Sequence, residues 1–546
     1  MKLKENASEN KLRGGYYTPI ELARFIAQWG ISNSVTNILE PSCGDGNFLE
    51  ALKNSKTKFK CTAVELVETE ATKAKTRVGQ DSRFNIINND FYKEYEKKLK
   101  NKKFDFVLGN PPYIRYQYLT EEQREEQSLI LTKNGLTPNK LINAWVSFVV
   151  AGVQLLDDEG KIGLIIPAEL LQVKYSEQLR IYLMRKLQKI TIITLRELVF
   201  PGVEQDVVLL LGEKSKNHDG EHLIKILQFK NIRELSINFV KENEKTGFKE
   251  IDLSTAKWTR YLLNQEQNDA IDQIKKDKGF VSFENIGEVD IGITTGNNKF
   301  FSVNKSTVSE YKLENVTLPL IARSVNIPGV NFEYSDWIDN VEADANTFLI
   351  DFNDIKDEDF NTEQRRYIQE GEERGENTGY KCRIRRKWYC IPSIWSPDAF
   401  FLRRNHIYPK FVLNNLQGAV STDTMHRIRF TKFTDRRKAI LAYYNSIGLA
   451  FTELEARSYG GGVLEILPGE LEKVTVPYLH NIEIKDSILN SLLEEIDLLF
   501  RRNNDISQVL KLVDQKVLIE IMKVPKDIVK TFNEIWITLR NRRLER

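Results

Sequence analysis

The sequence predicts an α/β protein in three parts: a doubly wound, mostly parallel seven-stranded sheet in residues 1–215, an α+β domain in residues 216–478 and a helical C-terminal region in residues 479–546. Three observations predict it. Seven short runs of Val, Ile, Leu and Phe alternate with helix-like stretches up to about residue 215. Short strands, aromatics and long polar loops then replace that rhythm, and from Ile482 apolar residues recur at helical spacing. Strand–helix alternation is the pattern of a parallel sheet covered on both faces. In such sheets ligands sit beyond the carboxyl ends of the strands, where strand order reverses.

The strand candidates, in order, are VTNILE (35–40), FKCTAVEL (59–66), FNIIN (84–88), FDFVLGN (104–110), IGLIIP (162–167), ITIITLRELVF (190–200) and DVVLLLGEK (206–214). Each is a β-branched or aromatic run with turn residues beside it. Residues 47–52, 68–78, 141–156 and 175–187 between them read as helices. Near the end, Ile488, Leu492, Ile496 and Leu499 mark one helix face, and the chain closes on the basic tail RNRRLER.

At 546 residues the chain exceeds one hydrophobic core. Its 41% hydrophobic and 29% charged content is that of a folded globular protein. Four cysteines without paired spacing argue against a disulfide framework and for a reducing compartment, so a cytoplasmic location is expected. The segment 141–156 carries Asn143, Ser147 and Gln154 and is too short to span a bilayer, which leaves a buried helix and no membrane role. Five histidines lack metal-ligand spacing, so no metal centre is expected. The net charge of +2 hides an asymmetry: residues 331–379 hold 15 acidic and 4 basic side chains, residues 380–437 hold 13 basic and 3 acidic.

The chemistry gathers at strand ends. Glu40-Pro-Ser42-Cys-Gly44-Asp-Gly-Asn-Phe follows the first strand, where glycines allow a tight turn and close approach of backbone amides to a ligand. The next strand ends in Glu65, whose carboxylate suits a ribose diol, and the third in Asp90-Phe91, an acceptor for an adenine amine beside an aromatic ring. Directly after the fourth comes Asn110-Pro111-Pro112-Tyr113. The two prolines fix φ and press Asn110 toward an extended conformation, which makes the loop stiff. A stiffly held Asn110 oxygen and the Pro111 carbonyl can accept the two protons of an exocyclic amine. Fixing both N–H bonds favours a pyramidal nitrogen, whose lone pair can attack an electrophilic methyl group.

With these motifs in this order, the chain resembles the bacterial type II adenine-specific DNA methyltransferases of the gamma arrangement, similar to the TaqI and Eco57I modification enzymes. The resemblance implies S-adenosylmethionine as cofactor, held by Tyr17 and Thr18 of an N-terminal Tyr-Tyr-Thr-Pro segment and by Glu40, Ser42, Gly44, Glu65, Leu66, Asp90, Phe91 and Asn110. It implies catalysis by the Asn110-Pro111-Pro112-Tyr113 loop, with Phe200 as a second aromatic surface against a flipped adenine. The α+β part then corresponds to a target-recognition domain. There Arg323 and the run Arg383, Arg385, Arg386 and Lys387 are the expected contacts to double-stranded DNA. A cognate restriction endonuclease acting separately is the implied partner, and monomer and dimer both stay open.

Other readings are RNA adenine, cytosine N4 or protein glutamine as the methyl acceptor, and a non-catalytic DNA-binding subunit. More than 300 residues beyond the catalytic part favour a large polymeric ligand over a protein side chain. None of Cys43, Cys61, Cys382 and Cys390 lies in the Pro-Cys setting of a thiolate that attacks a pyrimidine ring, and all four read as packing residues.

Overall fold

The computed structural model describes residues 17–197, 199, 206–216, 221–242, 246–253, 257–503 and 506–545. The chain divides into two compact units, Met1–Asn264 with Glu545–Arg546, and Gln265–Leu544.

The first unit is built on one mixed sheet. Its strands are β1 (Asn37–Glu40), β2 (Lys60–Glu65), β3 (Phe84–Asn88), β4 (Phe104–Gly109), β5 (Leu156–Pro167), β6 (Lys189–Leu195), β7 (Val207–Glu213), β8 (Leu223–Phe229) and β9 (Lys249–Glu250). They lie in the order β3-β2-β1-β4-β5-β7-β6-β8-β9. The sheet therefore has nine strands rather than the expected seven, and it continues past residue 215. β8 pairs in parallel with β6 along its whole length, from Lys189 opposite Leu223 to Leu195 opposite Phe229, so this edge belongs to the sheet. β7 runs antiparallel to both of its neighbours, β5 and β6.

Helices α1 (Ile20–Gly30), α2 (Asn47–Lys53) and α3 (Glu68–Val78) contribute to one apolar core; α4 (Phe91–Glu94), α5 (Glu121–Lys133), α6 (Ala144–Leu155) and α7 (Glu177–Lys186) contribute to the other. α6 buries every residue but Gln154, as its mostly apolar run, broken only by Ser147 before that position, requires. Each fully buried Val, Leu or Phe there contributes roughly 1.5–3 kcal/mol. No described helix is long and apolar enough to cross a membrane.

β1 has β2 on one side and β4 on the other, so strand order reverses between β1 and β4. The loops that leave their carboxyl ends, 41–46 and 110–113, meet at this switch point.

In the second unit, a five-stranded sheet pairs segments far apart in sequence, such as Gly287–Ile291 with Met425–Phe430. The helices of residues 486–544 pack within this unit rather than standing apart. Asp497 accepts hydrogen bonds from the Val330 and Asn331 amides at 2.8 and 2.9 Å. Arg501 links Asp497 to the buried Asp336, with contacts of 2.5 Å to each. Near the end of the last helix, Arg543 forms a buried ion pair with Glu453 at 2.7 Å.

Candidate active site

The turn after β1 is locked from two sides. Gly46 has φ +91°, and a Cβ there would lie 2.9 Å from the Ala74 Cα of α3, so glycine alone permits this packing. Arg77 of α3 reaches back to Asp45 and Glu50, each at 2.6 Å, and holds the turn against its helix. At the helix start, Asn47 donates to the Thr18 carbonyl at 2.9 Å, which draws the N-terminal segment over the turn.

Three carboxylates face this region. Glu65 accepts from the Gly44 and Val67 amides, both at 2.8 Å, which fixes its plane and leaves further lone pairs for a ligand. Burial raises its pKa against those two hydrogen bonds. Glu40 is completely buried, and neither of its oxygens receives a hydrogen bond from the described residues. Burial, then the nearby Glu65 and Asp45, push its pKa well above the usual carboxylate range. Taking such a carboxyl out of water without a partner is costly, and burial answers that cost by favouring its neutral form. Asp90 caps α4, accepting from the Tyr92 amide at 2.7 Å, and its second oxygen accepts from Gln123 at 2.8 Å.

At the end of β4, Gly109 takes φ +151°, a value side-chain-bearing residues seldom adopt, and there the chain turns into the diproline loop. The Ser42 hydroxyl donates to the Asn110 carbonyl at 3.2 Å, so the turn after β1 and the loop after β4 are joined. Downstream, the Ala144 amide at the head of α6 donates to the Ile114 carbonyl at 2.9 Å. Tyr113 donates through its hydroxyl to the Ile165 carbonyl at 3.1 Å.

These elements enclose a cavity of about 620 Å³, the size of a small-molecule site. Tyr17, Thr18, Glu40, Ser42 and Gly44 line it at one side, Glu65, Leu66, Asp90 and Phe91 at another, and Asn110 and Pro112 at the switch point. All ten expected cofactor contacts thus border one space. Pro111 and Tyr113 are not among its lining residues. Phe200 lies outside the described residues.

Two family models match the chain: the Eco57I restriction-modification methylase over residues 27–200 and the C-terminal domain of the type II methyltransferase M.Eco57I over residues 255–518. The chain belongs to the Eco57I-type methyltransferases.

Among the relatives of this Eco57I-type chain, the type II methyltransferase M.AccI of Acinetobacter calcoaceticus is 24% identical over 92% of this chain and 92% of its own length. M.HindII of Haemophilus influenzae is 26% identical over 63% of this chain and 67% of its own length. The DrdV–DNA complex, solved by electron cryomicroscopy, matches the fold with a TM-score of 0.50 at 12% identity, over 89% of this chain and 57% of that chain. This Eco57I-type chain therefore spans little more than half of that solved chain.

In this Eco57I-type chain the basic run of the second unit is not a uniform surface. Arg385 turns inward, donating to the Thr294 and Thr295 carbonyls at 2.8 and 2.7 Å. Lys387 pairs with Asp357 at 2.6 Å. Arg383, Arg386 and Arg323 point outward and are exposed. A guanidinium carries five donors in a fixed fork, and two adjacent loop carbonyls satisfy part of it.

Sequence reasoning did not single out Asn47, Tyr118, Gln123 or Phe148, which also line the cavity. Asn47 stood inside the quoted turn and was legible as its first helical residue. Gln123 is 33 residues from Asp90, and no local pattern announces that contact.

Proposed function

We propose that this chain transfers a methyl group from S-adenosylmethionine to the exocyclic N6 amine of adenine in a specific double-stranded DNA sequence. In this reading it is the modification partner of a separate restriction endonuclease. The observation that carries the reading is the tie between Ser42 and Asn110, which joins the loop bearing an amine acceptor to the rim of the cavity that holds the buried Glu40.

The residues fit the cofactor. Glu40, buried and without a hydrogen-bonded partner among the described residues, matches a ligand with positive charge. The free lone pairs of Glu65 suit ribose hydroxyls, and Asp90 beside Phe91 suits the adenine edge and face. When bound, S-adenosylmethionine supplies an activated methyl group on a sulfonium. The chain's own contribution is positioning. Asn110 Oδ1 and the Pro111 carbonyl hold the two amine protons, directing the nitrogen lone pair toward the methyl carbon. Tyr113 and Phe200 hold the extruded base by stacking, which offsets part of the few kcal/mol that unstacking costs. Arg323, Arg383 and Arg386 meet backbone phosphates.

The test is methyl transfer from labelled S-adenosylmethionine to duplex DNA, with RNA and protein as competitors, followed by hydrolysis and identification of the modified base. N6-methyladenine in duplex DNA is expected. Label in N4-methylcytosine, RNA or protein, or no transfer, overturns the reading.

A further inference from the structure

The Asp90 carboxylate is held at both ends. Oδ1 accepts from the Tyr92 amide at 2.7 Å, and Oδ2 accepts from Gln123 Nε2 at 2.8 Å. The Gln123 carboxamide is itself fixed: its oxygen accepts from the Thr120 amide at 3.1 Å, while the Thr120 hydroxyl accepts from the Gln123 amide at 3.2 Å. This reciprocal cap opens α5. An ionised carboxylate only accepts, so the amide must turn its NH2 toward Asp90 and its oxygen toward Thr120. Asp90, Thr120 and Gln123 all line the cavity, next to Phe91, Tyr118 and Leu119.

We infer that Gln123 is a positioning residue that clamps Asp90 so that its unoccupied lone pairs face the purine amine of the methyl donor, making selection for adenine over an oxo-purine depend on α5. The inference rests on the cofactor reading above. A carboxylate gripped on one oxygen alone can rotate about its Cβ–Cγ bond. Gripped on both, it presents acceptors in a fixed plane to a donor-bearing edge and repels an edge that carries a carbonyl. The helix cap thus does more than begin α5.

The experiment is isothermal titration of the full chain with S-adenosylhomocysteine and with S-inosylhomocysteine, in which a carbonyl replaces the purine amine. Wild type is expected to prefer the adenosyl ligand strongly. In Gln123→Ala and Gln123→Met that preference is expected to shrink by about tenfold, mainly through weaker binding of the adenosyl ligand. Thr120→Ala removes only the hydroxyl half of the cap, keeps the Thr120 amide on the Gln123 oxygen and the Gln123 Nε2 on Asp90, and is expected to weaken both ligands alike so that the wild-type ratio holds. An unchanged ratio in the Gln123 variants, or an equal loss in Thr120→Ala, overturns the inference while leaving the cofactor reading intact. Wild type that binds neither ligand overturns both.

Discussion

The Ser42 hydroxyl donates to the Asn110 backbone carbonyl at 3.2 Å, across the point where strand order reverses. This one bond couples the turn that borders Glu40 to the diproline loop that begins at Asn110. Ser42→Ala removes it without disturbing the carboxylates. Because such a bond is worth about 1 kcal/mol, single-turnover methyl transfer is expected to slow by roughly fivefold, a larger loss than that in affinity for S-adenosylhomocysteine. Asn110→Ala is expected to cost about 10²–10³-fold or more in the same assay, with ligand affinity largely intact. Equal losses in rate and affinity would assign both residues to folding instead.

Glu40 is expected to make the stability of the cofactor-free protein depend on pH. Burial, with Glu65 and Asp45 nearby, raises its native pKa well above that of an unfolded carboxyl. Between those two values the native state binds more protons than the unfolded state, so stability falls as pH rises through the window. Glu40→Gln is expected to flatten that slope and to raise the melting temperature at the alkaline end, as thermal unfolding at a series of pH values would read. The same variant is expected to bind the cationic methyl donor more weakly than wild type. A pH–stability curve parallel to that of wild type would remove Glu40 from the account.

Gly46→Ala places a Cβ 2.9 Å from the Ala74 backbone at a φ of +91°. Strain of this kind costs about 1–3 kcal/mol. The variant is expected to melt at lower temperature and to lose cofactor affinity together, because the turn and α3 must part. Calorimetry and ligand titration on one preparation would show both effects or dismiss them.

The basic run separates into two behaviours. Arg323, Arg383 and Arg386 are exposed, and each that meets a phosphate should reduce the slope of log affinity against log salt by about 0.9 on replacement with alanine. Arg385→Ala acts elsewhere: it strips the Thr294 and Thr295 carbonyls of their donor and is expected to destabilise the fold by about 1–3 kcal/mol. A salt slope unmoved by the triple replacement would place the phosphate contacts on other side chains.

The first unit was readable because its signals are local. β1 to β7 are short β-branched runs, and the Gly-rich turn, the strand-end acids and the diproline loop each follow a strand directly. β8 escaped notice since Lys225 and Gln228 interrupt its apolar run; yet Lys225 is buried, its ammonium lying 4.3 Å from the Phe248 ring centroid. A lysine can therefore sit inside a strand next to the sheet edge when its charge finds an aromatic face. The second unit resisted reading for another reason. Its strands are two to six residues long and some pair across more than a hundred positions, as Val289 does with Ile428, so no short window of sequence contains both partners. Charge density likewise could not tell that Arg385 faces inward while Arg383 faces out, since that depends on where the 294–295 carbonyls lie.

The two strands beyond the expected seven bear on where the first unit can be cut free. β6 is buried over six of its seven residues, and β8 occupies its entire free hydrogen-bonding margin. A fragment ending near residue 215 would leave that margin bare, a ready template for strand addition by neighbouring copies. Such a fragment should precipitate or oligomerise on expression, whereas one carried through Asn264 keeps its own guard strand.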